Sequence, residues 1–213
     1  MTQIVMKIKY LIYTILLCVT GIASCQNKKE NGQIKTIERM PNSLIKQLTQ
    51  QERDPQMMFY LEQSVDGVTV SEILQNSEEV MIDFIEAIPE EKISYKYGFG
   101  KWTVAQVLQH IISYERIMTE SGLKIAGKKV EDPIGYYNQI TTARVEKDIT
   151  KTELLERFKN VRKQTIKTFA NFSEEELKIM GIHESFPASP RTLVLCISGH
   201  QQHHFEVIEE KYL

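Results

Sequence analysis

Residues 189–213 read SPRTLVLCISGHQQHHFEVIEEKYL and predict a long helix at the end of the chain. Ser189 is a good N-cap, and Pro190 suits the first helical position because its missing N–H needs no partner there. At about 100° per residue, His200 and His204 fall in the middle of one apolar face, about 40° apart. The apolar members of that face are Leu193, Ile197, Val207 and Ile208. The side chains placed off the face are Gln201, Gln202, Phe205, Glu206 and Glu209.

This histidine pair predicts a metal site. A buried imidazole has two ring nitrogens to satisfy, and two imidazoles one turn apart in an apolar face are hard to satisfy by packing alone. A spacing of i,i+4 allows two helical histidines to share one divalent ion. The alternative is a pair of core histidines that hydrogen-bond to buried polar groups.

The beginning of the chain looks like a targeting segment. Lys7 and Lys9 form a basic region, and residues 10–19 form an apolar run that is short for a membrane span. The tetrapeptide Ile-Ala-Ser-Cys that ends at Cys25 is similar to a bacterial lipoprotein signal, so residues 1–24 are interpreted as a signal peptide and Cys25 as the lipidated residue. The alternative is an uncleaved N-terminal anchor. Both place the rest of the chain outside the cytoplasmic membrane, on the periplasmic side or at the cell surface.

The remaining cysteines fit this interpretation. Cys18 lies in the removed segment, and Cys196 is then the one thiol of the folded part, so no intrachain disulfide is available. Residues 25–36 are polar and are predicted to be a flexible tether. Residues 37–68 are interpreted as an N-terminal extension that packs on the domain.

Composition limits the choice of partners. The chain has 26 basic and 28 acidic side chains, and the basic residues are dispersed. This pattern argues against a nucleic-acid partner. The expected partner is a small-molecule substrate or ligand, and a homodimer is an alternative to a monomer.

Three further segments have the apolar periodicity of amphipathic helices, and each begins with a capping-box pattern. The patterns are Thr69 with Glu72, Thr103 with Gln106, and Thr150 with Glu153. A longer connection that includes residues 135–149 separates the second helix from the third, and no strand pattern of convincing length is present. These features predict an all-α four-helix bundle over residues 69–213.

The chain resembles the DinB-like (DinB/YfiT) superfamily in two stretches, GKWTVAQVLQHIISYERI around His110 and SGHQQHHFEVIEEKYL around His200 and His204. The resemblance covers residues 69–213. It implies a four-helix bundle with a long link between the second and third helices. It also implies a divalent metal held by His110, His200 and His204. Some relatives are thiol-dependent S-transferases or isomerases, and others look like hydrolases.

Three imidazoles leave an open coordination position, which is typical of a catalytic metal. Zinc or nickel is expected, since imidazole suits both. The preferred interpretation is a metal-dependent hydrolase tethered outside the membrane. One alternative is a non-catalytic lipoprotein that binds a metal or a small molecule. The other is a thiol-dependent S-transferase, which the location disfavours because cytoplasmic thiol cofactors are scarce there.

Several residues near the three histidines are candidates for catalytic roles. His203 is a candidate for a general base or for a donor to a ligand, Tyr114 for a donor to a metal-bound substrate, and Glu115 for a carboxylate that orients a ligand imidazole. The alternatives are a solvated or interface histidine, packing at the edge of the core, and a carboxylate on the solvated face. Glu206 is a second candidate for that orienting role. Cys196 is either a thiolate near the metal or a small core residue, and the core residue is preferred.

Overall fold

The computed structural model describes residues 43–131 and 149–213. The signal peptide, Cys25, the tether and most of the predicted crossover 135–149 lie outside these residues. The described chain is mostly helical. Its helices are α1 (Ser43–Lys46), α2 (Pro55–Leu61), α3 (Val70–Ala87), α4 (Val104–Ile125), α5 (Lys151–Phe169) and α6 (Pro190–Lys211). Single turns of 3-10 helix occur at Gln50–Glu52, Glu90–Lys92 and Glu176–Lys178.

The predicted helix starts are confirmed by the caps. The side chains of Thr103, Thr150 and Ser189 each accept a hydrogen bond from the backbone three residues on, in a full capping box. Thr69 caps α3 in the same way, but the Glu72 carboxylate accepts instead from the backbone N–H of residue 68, at 2.7 Å. Side-chain oxygens therefore satisfy N–H groups that a helix start leaves unpaired.

Helices α3 to α6 form the four-helix bundle, and residues 126–150 make the long connection between its second and third helices. Helix α6 is the central element, because it packs against α2, α3 and α4. Its residues 190–201 are all buried. Gln201 and Phe205, which the helical wheel places off the histidine face, are buried as well, because neighbours cover α6 on more than one side.

The segment that precedes the bundle and includes α2 also packs against α6. Helix α2 crosses α6 at Gly199, where an added Cβ would lie 1.7 Å from the carbonyl oxygen of Tyr60. The hydroxyl of Ser198 accepts a hydrogen bond from the backbone N–H of Val65 at 3.0 Å. Only glycine permits so close a crossing, so position 199 is a packing contact between backbones.

A buried ion pair fastens the same segment to the start of α6. The Glu52 carboxylate accepts hydrogen bonds from Arg191 Nε at 2.6 Å and from the Ser189 hydroxyl at 2.7 Å. Burial alone would raise the pKa of Glu52, but hydrogen bonds from Arg191, Ser189 and Thr49 outweigh it and lower the pKa to about 2. Glu52 is thus held ionised in the interior.

A short antiparallel hairpin precedes α6, with strands β1 (Gly181–His183) and β2 (Phe186–Ala188). The turn includes Glu184 at a φ of 55°. Strands of three residues are shorter than the length over which alternation of apolar and polar residues indicates a strand, which is why this hairpin was not predicted.

A second buried ion pair joins the four bundle helices. Arg162 of α5 donates from Nε and from one terminal nitrogen to the Glu115 carboxylate of α4, at 2.8 and 2.9 Å. Its remaining N–H groups reach the carbonyl of Leu74 and the hydroxyl of Ser77 in α3, and Oε1 of Gln201 in α6. All five donors of the guanidinium therefore have an acceptor, as burial of the charge requires.

We call this group the Arg162 layer: Arg162, Glu115, Ser77 and Gln201, with the Leu74 carbonyl. Along each of the helices α3 to α6, the residue whose side chain belongs to the layer lies between residues of two apolar clusters. The first cluster includes Leu61, Leu74, Met118, Phe169 and Leu195. The second includes Met81, Leu108, Phe158, Phe205 and Ile208. None of the helices within residues 43–131 and 149–213 combines the length and apolarity that a membrane crossing needs.

Candidate metal centre

Three histidines from two helices converge beside the Arg162 layer. His110 comes from α4, and His200 and His204 come from successive turns of α6. One nitrogen from each imidazole lies within 4.8 Å of the others, and the Nε2 atoms of His200 and His204 are 3.1 Å apart. The His110 ring lies 5.0 Å from each of the other two rings, measured between centroids. The structure thus brings together the three side chains that the sequence motif predicted as ligands.

The packing of the two helices explains this geometry. Residues four apart project from one face of a helix, so His200 and His204 both face α4. His200 is buried, whereas His110 and His204 are half-buried at the edge of the cluster. The site therefore has a closed side toward the core and a more open side.

Electrostatics keeps the three rings uncharged at neutral pH. Burial lowers the pKa of His110 to about 4. Burial lowers the pKa of His200 well below its usual range, and so do the nearby imidazoles of His204 and His110. The pKa of His204 is lowered by burial and by His110 and His203. Neutral imidazole is the form that binds a metal.

The donor set fits a divalent ion. Two nitrogens at about 2.0–2.1 Å from one tetrahedral ion would be roughly 3.3 Å apart, close to the separation seen between the Nε2 atoms. A pair of core histidines would account for His200 and His204 alone, whereas the imidazole of His110 converges on the same point from a second helix. Among the described residues, Nδ1 of His200 and Nδ1 of His204 are buried without a hydrogen-bond partner, and an ion at the Nε2 atoms would leave these nitrogens unchanged. The arrangement therefore favours a metal centre over a pair of core histidines.

The profile of the DinB superfamily matches residues 73–208, which is more than half of the chain and includes all three histidines. The chain belongs to the DinB superfamily. The resemblance carried by the two motifs is thereby confirmed.

Two solved structures resemble this DinB protein, and no curated protein matches it. YfiT from Bacillus subtilis is described as a probable metal-dependent hydrolase with an unusual four-helix bundle topology. It aligns with a TM-score of 0.54 and 14% identity over 76% of this chain and 89% of its own, which confirms the bundle fold. The colibactin self-resistance protein ClbS, in complex with a dsDNA, aligns with a TM-score of 0.47 and 15% identity over 68% of this chain and 98% of its own. This second likeness is too distant to bear on function.

Aromatic rings hold the histidines of the DinB site in place. Tyr114 stacks on His200, with ring centroids 3.7 Å apart and planes inclined by 14°. Trp102 lies 5.2 Å from the His110 ring, and Tyr60 lies edge-on to His200 at 5.4 Å. Sequence reasoning considered Tyr114 but gave Trp102 and Tyr60 no role at the site. The position of Trp102 just before α4 was an available signal, whereas nothing marked Tyr60.

His203 lies beside the ligand set and outside it. Its ring is 5.3 Å from the His204 ring and also 5.3 Å from Phe59, with Tyr60 at 5.9 Å. Burial lowers the pKa of His203, although the charge of Glu206 opposes this. A neutral, half-buried imidazole at the edge of a metal centre is able to accept a proton.

The other candidates have different surroundings. Both carboxylate oxygens of Glu115 accept hydrogen bonds from Arg162, so we assign Glu115 to the ion pair and give it no role in orienting a ligand imidazole or in acid–base chemistry. Glu206 is exposed. Cys196 is buried in the first apolar cluster, and burial raises the pKa of its thiol, so it remains protonated. These contacts favour the core interpretation of Cys196.

Proposed function

We propose that this DinB protein is a metal-dependent hydrolase whose ion is held by His110, His200 and His204. The observation that carries the proposal is the convergence of three neutral imidazole nitrogens within 4.8 Å of one another. Family membership and the bundle fold shared with YfiT support it. Three protein ligands with a more open side are typical of catalytic rather than closed structural sites.

A divalent ion held there would act as a Lewis acid toward water and a substrate carbonyl or phosphoryl oxygen. Zinc or nickel suits three imidazole donors. The protein contributes ligand orientation, which the stacking of Tyr114 on His200 provides. His203 beside the ligands is our candidate for the proton acceptor. The buried side of the site, toward the Arg162 layer, excludes water from the ligands.

One observation favours a second function, a non-catalytic metal-binding protein. Glu115, the carboxylate closest in sequence to His110 on α4, is bound to Arg162. The Glu115 carboxylate is therefore engaged in the ion pair and does not serve the site as a base.

We also propose that the protein is a lipoprotein, anchored through Cys25 to a bacterial membrane outside the cytoplasm, on the periplasmic side or at the cell surface. The support is the Ile-Ala-Ser-Cys sequence after a basic and apolar start. The expected substrate is then a small molecule outside the cytoplasm.

Elemental analysis and metal titration of four alanine variants test the site. Replacing His110, His200 or His204 removes one of three ligands, so metal affinity should fall by at least about 10- to 100-fold. A loss of that size already follows when a residue that only hydrogen-bonds to a metal ligand is replaced. Replacing His203 should leave affinity within about threefold of the unmodified chain, since it is outside the set, while lowering turnover. If the ligand variants keep full metal content, there is no such site.

A screen of ester, amide and phosphoester substrates with the full chain tests turnover. Hydrolase activity should disappear with a chelator and return when zinc or nickel is added back. Stoichiometric metal with no turnover on any substrate class would favour the non-catalytic function.

A further inference from the structure

An exposed aromatic loop lies between α3 and α4, and we call residues 93–102 the Phe99 loop. Its sequence, ISYKYGFGKW, contains four aromatic side chains. Phe99 is fully exposed, and Tyr95 is 43% exposed. Glycines flank Phe99, and Gly100 has a φ of +73° that favours glycine. A fully exposed phenylalanine forgoes the free energy of burial, which it would gain by contact with another apolar phase.

The charges of the loop are of one sign. Lys96 and Lys101 flank Phe99, and residues 93–102 include no acidic side chain. The nearest acids in the sequence, Glu90 and Glu91, lie in the 3-10 turn that precedes the loop. Aromatic rings with lysines beside them are the composition that proteins place at the surface of an anionic bilayer.

The base of the loop is firmly attached to the bundle. The backbone N–H of Ala105 donates to the carbonyl of Ile93 at 2.9 Å. The Tyr212 hydroxyl donates to the carbonyl of Trp102 at 3.1 Å, and the Tyr212 ring lies 4.8 Å from the Tyr97 ring. Tyr212, at the C-terminal end of α6, therefore holds the base of the loop in place, whereas Phe99 is exposed to solvent.

The geometry points to the Phe99 loop as a membrane-docking element that inserts Phe99 into the surface of a bilayer rich in anionic phospholipid. Phe99 enters the acyl region, and Lys96 and Lys101 lie at the headgroup phosphates. Trp102 links the loop to His110, so docking places the metal centre close to the lipid surface. The inference rests on the exposure and charge of the loop and does not depend on lipid at Cys25.

The single tryptophan of the chain gives a direct test, because Trp102 is three residues from Phe99. The full chain is reconstituted into vesicles whose phospholipid acyl chains carry bromine, a quencher of tryptophan fluorescence. A chelator is present throughout, so that no ion near His110 alters the signal. Trp102 should be quenched, and more strongly in vesicles with anionic lipid than in zwitterionic ones.

The Phe99→Ser variant should shift the equilibrium between inserted and free loop about tenfold toward the free state, which corresponds to about 1.4 kcal/mol. Lys101→Gln should shift it about fivefold in anionic vesicles and little in zwitterionic ones. Ile182→Ser is the matched control, because Ile182 is 66% exposed on the hairpin and should leave quenching unchanged. Circular dichroism confirms that the variants fold.

Two results would overturn the inference. One is equal quenching of the unmodified chain and Phe99→Ser. The other is an absence of lipid quenching in the unmodified chain, which would indicate that the loop serves a protein partner or covers the metal centre instead.

Discussion

The Arg162 layer offers a sharp test of what holds the bundle together. In Arg162→Met the apolar side chain fills much of the space of the arginine, but the Glu115 carboxylate, 1% exposed, loses its counter-charge. Removing one partner of a buried ion pair costs about 3–5 kcal/mol. Gln201 Oε1 also loses its donor, and an unsatisfied buried group adds about 1 kcal/mol. The Leu74 carbonyl still accepts from the Ser77 hydroxyl at 3.2 Å. The expected loss is therefore about 5 kcal/mol, similar to the whole stability of many domains.

Urea denaturation followed by circular dichroism measures the change in the free energy of unfolding. The double variant Glu115→Leu/Arg162→Met removes both charges, so it should be more stable than Arg162→Met alone. Lys178→Met is the control, because its pair with Glu174 is exposed and should contribute less than about 1 kcal/mol. A loss below about 1 kcal/mol for Arg162→Met would refute the reasoning.

Three further predictions follow from single residues. Gly199→Ala should destabilise the fold by about 3 kcal/mol, because its Cβ would lie 1.7 Å from the Tyr60 carbonyl oxygen; Gly98→Ala, with no atom closer than 3.6 Å, should have little effect on urea denaturation. The pKa of Glu52 is lowered to about 2, so its stabilisation is present above the usual pKa of 4.5 and is lost as pH falls toward 2. The free energy of unfolding should therefore fall by about 2 kcal/mol more in the unmodified chain than in Glu52→Gln between about pH 6 and about pH 3, and an equal fall in both would contradict this assignment. Cys25→Ala should release the protein from the membrane fraction and abolish labelling with radioactive lipid, whereas unchanged fractionation and labelling would rule out lipidation at Cys25.

The sequence predicted the features that depend on local rules. Helix starts were found because Thr103, Thr150 and Ser189 cap their helices with their own side chains. The histidine cluster was found because a spacing of four residues directs His200 and His204 to one side of a helix. These signals need no knowledge of what lies next to the helix.

The features that were missed depend on neighbours in three dimensions. A helical wheel assumes one buried face, so it did not predict that Gln201 is buried. Helices α2, α3 and α4 pack on different sides of α6 and bury this residue as well. Arg162 was not predicted to be buried because an arginine usually indicates solvent, although it lies one turn after Phe158 on the apolar stripe of α5. Its acceptors come from three other helices, and no local pattern indicates such partners.

The central position of α6 determines when this protein can fold during synthesis. The helix around which α2, α3 and α4 pack follows them in sequence, and the Arg162 layer lacks Gln201 until that helix is made. Contacts between α2 and α6 join residues more than a hundred positions apart, so local structure cannot substitute for them. At roughly 5–20 residues per second, the nascent chain spends on the order of ten seconds or more without its central helix. A chain that waits this long for its central helix remains accessible to molecular chaperones.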